Sequence, residues 1–249
     1  MRNKTLHAFG DSFVQGDQDD FLHDKQPSVT LDHNMNFLER VEYLRNNVSF
    51  ASIIARQLGY DYKNSAERGS GSYPQIDKMW SNLMDGTIQE SDVVLFGLTT
   101  ISRDRSYAYK FEESVSPGFA ERIADRAMLT TSDFRQLWEA DYFYILSILS
   151  RIETTFNVKV IKFNLFDNPL DKSRNILRHR FKFNVLGEEF VGNTLIDILN
   201  DSWGSNNRYP YHTALSVPQG YEHLYTVNKH PSIAGHKKIA EWFLKNVNI

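Results

Sequence analysis

Thr5-Leu6-His7-Ala8-Phe9-Gly10-Asp11-Ser12-Phe13 is an apolar run that passes directly into a small, polar, sharply turning tripeptide. Thr5, Leu6, Ala8 and Phe9 predict a short buried strand, and Gly10 at its carboxyl end permits a close turn that a side chain would obstruct. In an open parallel α/β sheet, ligands bind in the crevice outside the carboxyl ends of the strands. That rule puts Ser12 where a substrate would sit.

Working outward, Asp92-Val93-Val94-Leu95-Phe96-Gly97 is the clearest buried strand, an apolar run closed by glycine. Val158 to Phe166 is another, turning off at Asp167-Asn168-Pro169. Helical spacing runs through residues 36–58 (Phe37, Val41, Leu44, then Phe50, Ile53, Ile54, Leu58), with Gly59 placed to end the second helix. Ile76, Met79, Trp80 and Leu83 continue that spacing after the loop 64–72. A long amphipathic helix is expected over 133–156, with Phe134, Leu137, Trp138, Ile145, Leu149 and Ile152 on one stripe. The chain closes on a helix capped by Ser232 and buried through Ile239, Ala240, Phe243, Leu244 and Val247.

The segments between are polar. Residues 14–36 read as a loop over the site, and Asp17, Asp19 and Asp20 lack the glycine turn and distal glutamate of a calcium loop. Tyr107, Tyr109 and Phe111 alternate as in a short strand or hairpin arm, and residues 170–222 offer one helix near Thr194–Leu199.

At 249 residues without a Pro/Gly/Ser linker the chain predicts a single domain, 1–249, with insertions at about 14–36, 101–132 and 170–222. A hydrophobic fraction of 41%, with Phe 17 and Tyr 12, argues for a packed core. A net charge of -3 with interspersed signs gives no electrostatic footprint for nucleic acid. The absence of cysteine excludes disulfides, thiolate metal sites and a cysteine nucleophile. Histidines 7, 23, 33, 179, 212 and 223 have no ligand-like spacing, so neither a metal nor a cofactor is expected. No apolar core of a signal peptide precedes Asp11, and no segment is apolar enough to span a bilayer. The expected location is the cytoplasm, or a particle assembled there.

A serine hydroxyl is a weak nucleophile until a neighbouring base takes its proton, and acyl transfer also requires donors aimed at the developing oxyanion. The chain supplies candidates at strand ends. Ser12 would attack, His230 would act first as base and then as acid, and the N–H groups of Ser12 and Gly69 would hold the oxyanion. His236 falls inside the last helix and reads as a packing residue.

Four blocks carry a resemblance: Gly10-Asp11-Ser12, Asn64-x-Ala66-x-x-Gly69, Gly97-Leu98-Thr99-Thr100 and His230-Pro231-Ser232-x-x-Gly235-His236. In their order and separations they resemble the SGNH/GDSL hydrolases. The resemblance implies a three-layer α/β/α sandwich with a flavodoxin-like parallel sheet, and hydrolysis of esters, often acetyl groups on carbohydrates or acyl groups on lipids. By position it makes Ser12 the nucleophile, Gly69 an oxyanion donor and His230 the base. The third block puts Thr99 where the family has an asparagine donor to the oxyanion, and Thr100 follows in place of aspartate. The family's orienting aspartate lies three residues before the histidine, where this chain has Val227. The expected activity is a serine esterase acting on an O-acetyl or other short acyl group of a glycan or small molecule. The rivals are a lipid esterase or thioesterase, and a binding or assembly protein that keeps the scaffold without efficient catalysis.

Overall fold

The computed structural model of the chain describes residues 2–16, 35–99, 131–165, 190–191, 194–201, 217, 219–226 and 230–249. Tyr107, Tyr109, Phe111, the three aspartates at 17, 19 and 20, Thr100, Val227 and most of 170–222 lie outside them.

The predicted strand forms as β1 (Thr5–Phe9), fully buried, and runs into a one-turn helix α1 (Ser12–Gln15). The spacing over 36–58 resolves into α2 (Phe37–Asn47) and α3 (Phe50–Leu58). Asn36 and Glu39 form a reciprocal capping box on α2, and Ser49 caps α3. Gly59 ends α3 in the left-handed conformation, as its place after Leu58 suggested. Then come β2 (Asp61–Asn64), α4 (Ser72–Met84), β3 (Val93–Leu98), α5 (Thr131–Phe156) and β4 (Lys159–Asn164). The chain finishes with β5 (Phe190–Val191), α6 (Leu195–Asn200), a 3-10 turn (Glu222–Leu224) and α7 (Ile233–Asn246).

The sheet is parallel throughout, in the order β2-β1-β3-β4-β5. Alternation along the strands sends side chains to two faces. Leu6, Ala8, Val93, Leu95, Ile161 and Phe163 meet α1, α3, α6 and α7. Phe9, Val94, Phe96, Leu98 and Val160 meet α4 and α5. Two helical layers thus enclose the sheet, giving the three-layer α/β/α sandwich that the resemblance implied. The strand order is the flavodoxin-like one, whose topological switch point lies between β1 and β3.

Ile145, Leu149 and Ile152 of the α5 stripe are buried, whereas the side chains of Phe134, Leu137 and Trp138 lie outside the described ones. Trp80 shares the spacing of α4 yet stands at the rim of its layer, half exposed, edge-on to Phe156. Two strands carried no apolar run to announce them. β2 is an edge strand with every second residue exposed, so its sequence, Asp-Tyr-Lys-Asn, has only one core-facing aromatic, and β5 at the other edge has two residues.

Polar groups are also built into the core. Asp92 accepts from the Thr5 and Gln89 N–H groups, from Arg2, and pairs with His7 Nε2 at 3.2 Å, tying the start of β3 to β1. Lys162, fully buried on β4, reaches Glu153 of α5 at 2.7 Å. Both pairs lie on the α4/α5 side of the sheet.

Candidate active site

Gly10 leaves β1 at φ 150°, and a Cβ there would press into Val14 and approach the Gly97 carbonyl, so the close turn requires glycine. Asp11 then caps α1: its side chain accepts the Phe13 N–H at 2.9 Å, and its carbonyl accepts those of Val14 and Gln15. Asp11 is fully buried, so the second residue of the tripeptide builds the turn rather than facing a substrate. Ser12 occupies the first helical position, where the backbone N–H has no acceptor within the helix. Gly16 closes the turn in the left-handed conformation.

The histidine comes from the other end of the chain. Thr226 and His230 bond reciprocally, the Thr226 N–H to the His230 carbonyl at 2.8 Å and the His230 N–H to Thr226 Oγ1 at 3.1 Å. Tyr225 pairs with Pro231 as an antiparallel bridge. Ser232 caps α7 at the Gly235 N–H, and its own hydroxyl donates to the His223 carbonyl at 2.6 Å. Those contacts pin the loop from both sides. They bring His230 Nε2 within 2.9 Å of Ser12 Oγ across 218 positions of sequence, with the Phe13 ring 5.0 Å from the imidazole, centroid to centroid. With Nε2 as acceptor, the imidazole is the Nδ1-protonated tautomer and can draw off the hydroxyl proton.

The Gly69 loop is stitched to the end of β1. The Ser65 N–H donates to the Ala8 carbonyl at 2.8 Å and the Glu67 N–H to the Gly10 carbonyl at 3.0 Å. Asn64 reaches the carbonyls of Val14 and Gln15 with its amide N–H and receives the Ala66 N–H on its oxygen, so it joins β2, the loop and α1. Gly69 sits at φ 73° in a turn closed by the Ser70 N–H on the Glu67 carbonyl, and a Cβ there would meet no atom of the described residues within 4 Å. Thr99 follows β3. Its N–H donates to Ser72 Oγ at 3.2 Å, and its own hydroxyl oxygen lies 3.4 Å from that atom, both side chains buried.

The structure therefore brings Ser12 and His230 into contact and sets the Gly69 loop and Thr99 at the neighbouring carboxyl ends of β1 and β3. Sequence reasoning missed the polar groups that hold these residues: Asn64 as a bridge, Ser72 under Thr99, Gln75 under Gly10 and Thr226 beside His230. Each is an ordinary polar residue in a loop, a strand end or a first helical turn, and only the tertiary contact gives it a task.

His236 is fully buried and serves packing, as its place in α7 indicated. Its Nδ1 accepts the Phe50 N–H at 3.3 Å and its ring stacks on Phe50. Burial, reinforced by nearby His230, pushes its pKa down to about 3. Among the described residues no group of three or more His, Cys, Asp or Glu is placed to hold a metal ion, and no helix is long and apolar enough to cross a membrane.

No protein-family model and no curated protein sequence matches the chain. Among solved structures the chain is similar to a catalytic mutant of Axe2, an acetylxylan esterase from Geobacillus stearothermophilus, at 14% identity and TM-score 0.47 over 99% of this chain and 94% of that one. A carbohydrate esterase is similar at 13% identity and TM-score 0.49, over 98% of this chain and 68% of that one. TesA is similar at 13% identity and TM-score 0.45, over 97% of each chain. The activities named are those of these proteins.

Proposed function

We propose that the protein is a serine ester hydrolase that works through an acyl-serine intermediate. The observation that carries the reading is the 2.9 Å contact between His230 Nε2 and Ser12 Oγ at the carboxyl end of β1, beside the switch point of the sheet. Ser12 Oγ attacks the ester carbonyl carbon as its proton passes to His230 Nε2. The tetrahedral oxyanion draws on the N–H groups of Ser12 and Gly69 and on the Thr99 hydroxyl, where each well-placed donor is worth about 3 kcal/mol of barrier. His230 returns the proton to the departing alkoxide, the C–O bond breaks and Ser12 carries the acyl group. Water then attacks with His230 as base, which releases the acid and restores the hydroxyl.

The substrate class we propose is a short acyl ester, an O-acetyl group on a glycan or a small molecule. Support comes from the resemblance of the four blocks. The whole chain would act as one hydrolase domain, without cofactor. A second reading, a binding protein on the same scaffold, is favoured by Thr99 standing where an amide donor is the family habit and by Val227 where the orienting carboxylate is.

A fluorophosphonate probe and p-nitrophenyl esters of increasing acyl length test both readings. The hydrolase labels at Ser12 and turns over acetate esters faster than long-chain ones. Ser12→Ala and His230→Ala abolish turnover. Wild-type protein that neither labels nor hydrolyses supports the binding reading, and labelling that survives Ser12→Ala refutes the nucleophile.

A further inference from the structure

A closed ring of four hydrogen bonds lies beneath Ser12, and its keystone is a side chain with no other assigned task. The Glu67 N–H donates to the Gly10 carbonyl at 3.0 Å, and the Ser70 N–H donates to the Glu67 carbonyl at 3.1 Å. The Gln75 amide N–H donates to Ser70 Oγ at 2.9 Å, and the Gln75 amide oxygen accepts the Gly10 N–H at 3.1 Å. Gln75 is 1% exposed, in the first turn of α4. Two elements are clamped by it: the strand end two residues before Ser12, and the last residue of the turn that carries Gly69.

That turn matters for a stereochemical reason. Residues 67–70 close with a carbonyl-to-N–H bond and a positive φ at the third position, the pattern of a type II turn. The Gly69 N–H belongs to the central peptide of the turn. Types I and II differ by rotation of that one peptide through about 180°, which reverses the direction in which its N–H points. A glycine at the third position accepts either form, so the residue itself does not choose between them. The choice falls to the anchors at the two ends, Glu67 on Gly10 and Ser70 on Gln75.

We infer that Gln75 is a positioning residue which holds the Gly69 peptide in a fixed relation to Ser12, so that the oxyanion donor is set before substrate arrives. The inference rests on the hydrolase reading above. Gln75 touches no reacting atom and acts through Ser70 and Gly10.

The test is steady-state hydrolysis of p-nitrophenyl acetate by Gln75→Met, Ser70→Ala, the double variant and Gln75→Glu. Removing an oxyanion donor outright costs about 10²- to 10³-fold in kcat, and a peptide that, without its anchors, turns the donor away about nine times in ten should cost about tenfold. We expect that loss in kcat for either single variant, with KM within twofold of wild type. The double variant should be no slower than the worse single one, because both cut the same ring. Gln75→Glu keeps an acceptor for the Gly10 N–H and offers its second oxygen to the Ser70 hydroxyl, so it should recover most of the lost rate. The pH dependence of kcat/KM of Gln75→Met and Ser70→Ala should stay in place, since neither change adds or removes a titratable group and His230 is untouched. Should Gln75→Met fail to fold, Ser70→Ala, on a half-exposed residue, opens the ring from its other end.

Single variants with kcat within twofold of wild type, losses that multiply in the double variant, or a Gln75→Glu as slow as Gln75→Met overturn the inference while Ser12-dependent turnover stands. A wild type without turnover, or one whose turnover survives Ser12→Ala, overturns the hydrolase reading and this inference with it.

Discussion

Acidification should loosen the joint between the first and last thirds of the chain through His236. The Phe50 N–H opens α3 and has no acceptor inside its own helix, and His236 Nδ1 from α7 supplies one. Protonating that nitrogen would turn the acceptor into a donor facing a donor, in a site sealed from water. Among the described residues His236 Nε2 has no hydrogen-bond partner to offer the ring a compensating contact. Burial accordingly holds the folded-state pKa near 3, against 6.5 for an ordinary histidine. Because the folded value is depressed, the unfolded chain binds the extra proton first, and stability falls as pH drops below about 6.5 and until about 3. At pH 4.5 the gap of about two units below the ordinary value corresponds to about 2.5 kcal/mol lost relative to pH 7. Urea unfolding across that range, on wild type and on His236→Asn, measures it. Asparagine can present an acceptor oxygen to Phe50 and does not titrate, so it should cost stability at pH 7 yet lose about 2.5 kcal/mol less on acidification. Carboxylates elsewhere titrate equally in both proteins and cancel. Two stability curves that run parallel from pH 7 to 4.5 would refute the argument.

Two further outcomes follow from close packing and from the oxyanion side. Gly235→Ala would drive a methyl group into the Leu224 carbonyl oxygen, a backbone atom, and against Leu199 and Pro231. The first turn of α7 must then move away from the segment that pins His230, so we expect a loss of about 1–3 kcal/mol in urea unfolding and a fall in kcat beyond it. Ser72→Ala removes the acceptor of the Thr99 N–H and the hydroxyl beside Thr99 Oγ1. If Thr99 donates to the oxyanion, kcat for p-nitrophenyl acetate drops about tenfold in both Ser72→Ala and Thr99→Val with KM held, and unchanged kcat in Thr99→Val would remove Thr99 from the reaction.

What could be read from the sequence was whatever a local pattern encodes. β1 and β3 are enclosed on both faces, so apolar residues run the whole length of β3 and mark β1 at Leu6, Ala8 and Phe9, and that pattern is visible in one dimension. The places of Ser12 and His230 in the fold were legible because one follows a strand end and the other precedes a capped helix, both signals of a few residues. β2 escaped because an edge strand needs only one apolar side, and over four residues that leaves Tyr62 alone to mark it. Val158 and Leu165, read into the third strand, flank β4 and extend its buried run without belonging to its ladder.

The supporting polar groups escaped for a different reason. Gln75, Ser72 and Asn64 act across 65, 27 and 50 positions, and an amide or hydroxyl in a first helical turn or at the end of an edge strand looks the same whether it faces water or another element. The same holds for His7 and Asp92, 85 positions apart, whose pairing locks two adjacent strands where they begin. The distinction bears on where function resides in this fold. At the amino ends of β1 and β3 the polar groups pair with one another and are consumed by the structure. At the carboxyl ends the Gly10 and Thr99 N–H groups are satisfied from below by Gln75 and Ser72, beside the contact between Ser12 and His230. A sheet that spends its buried polar contacts in this way fixes the backbone at both of its ends through side chains that are distant in sequence.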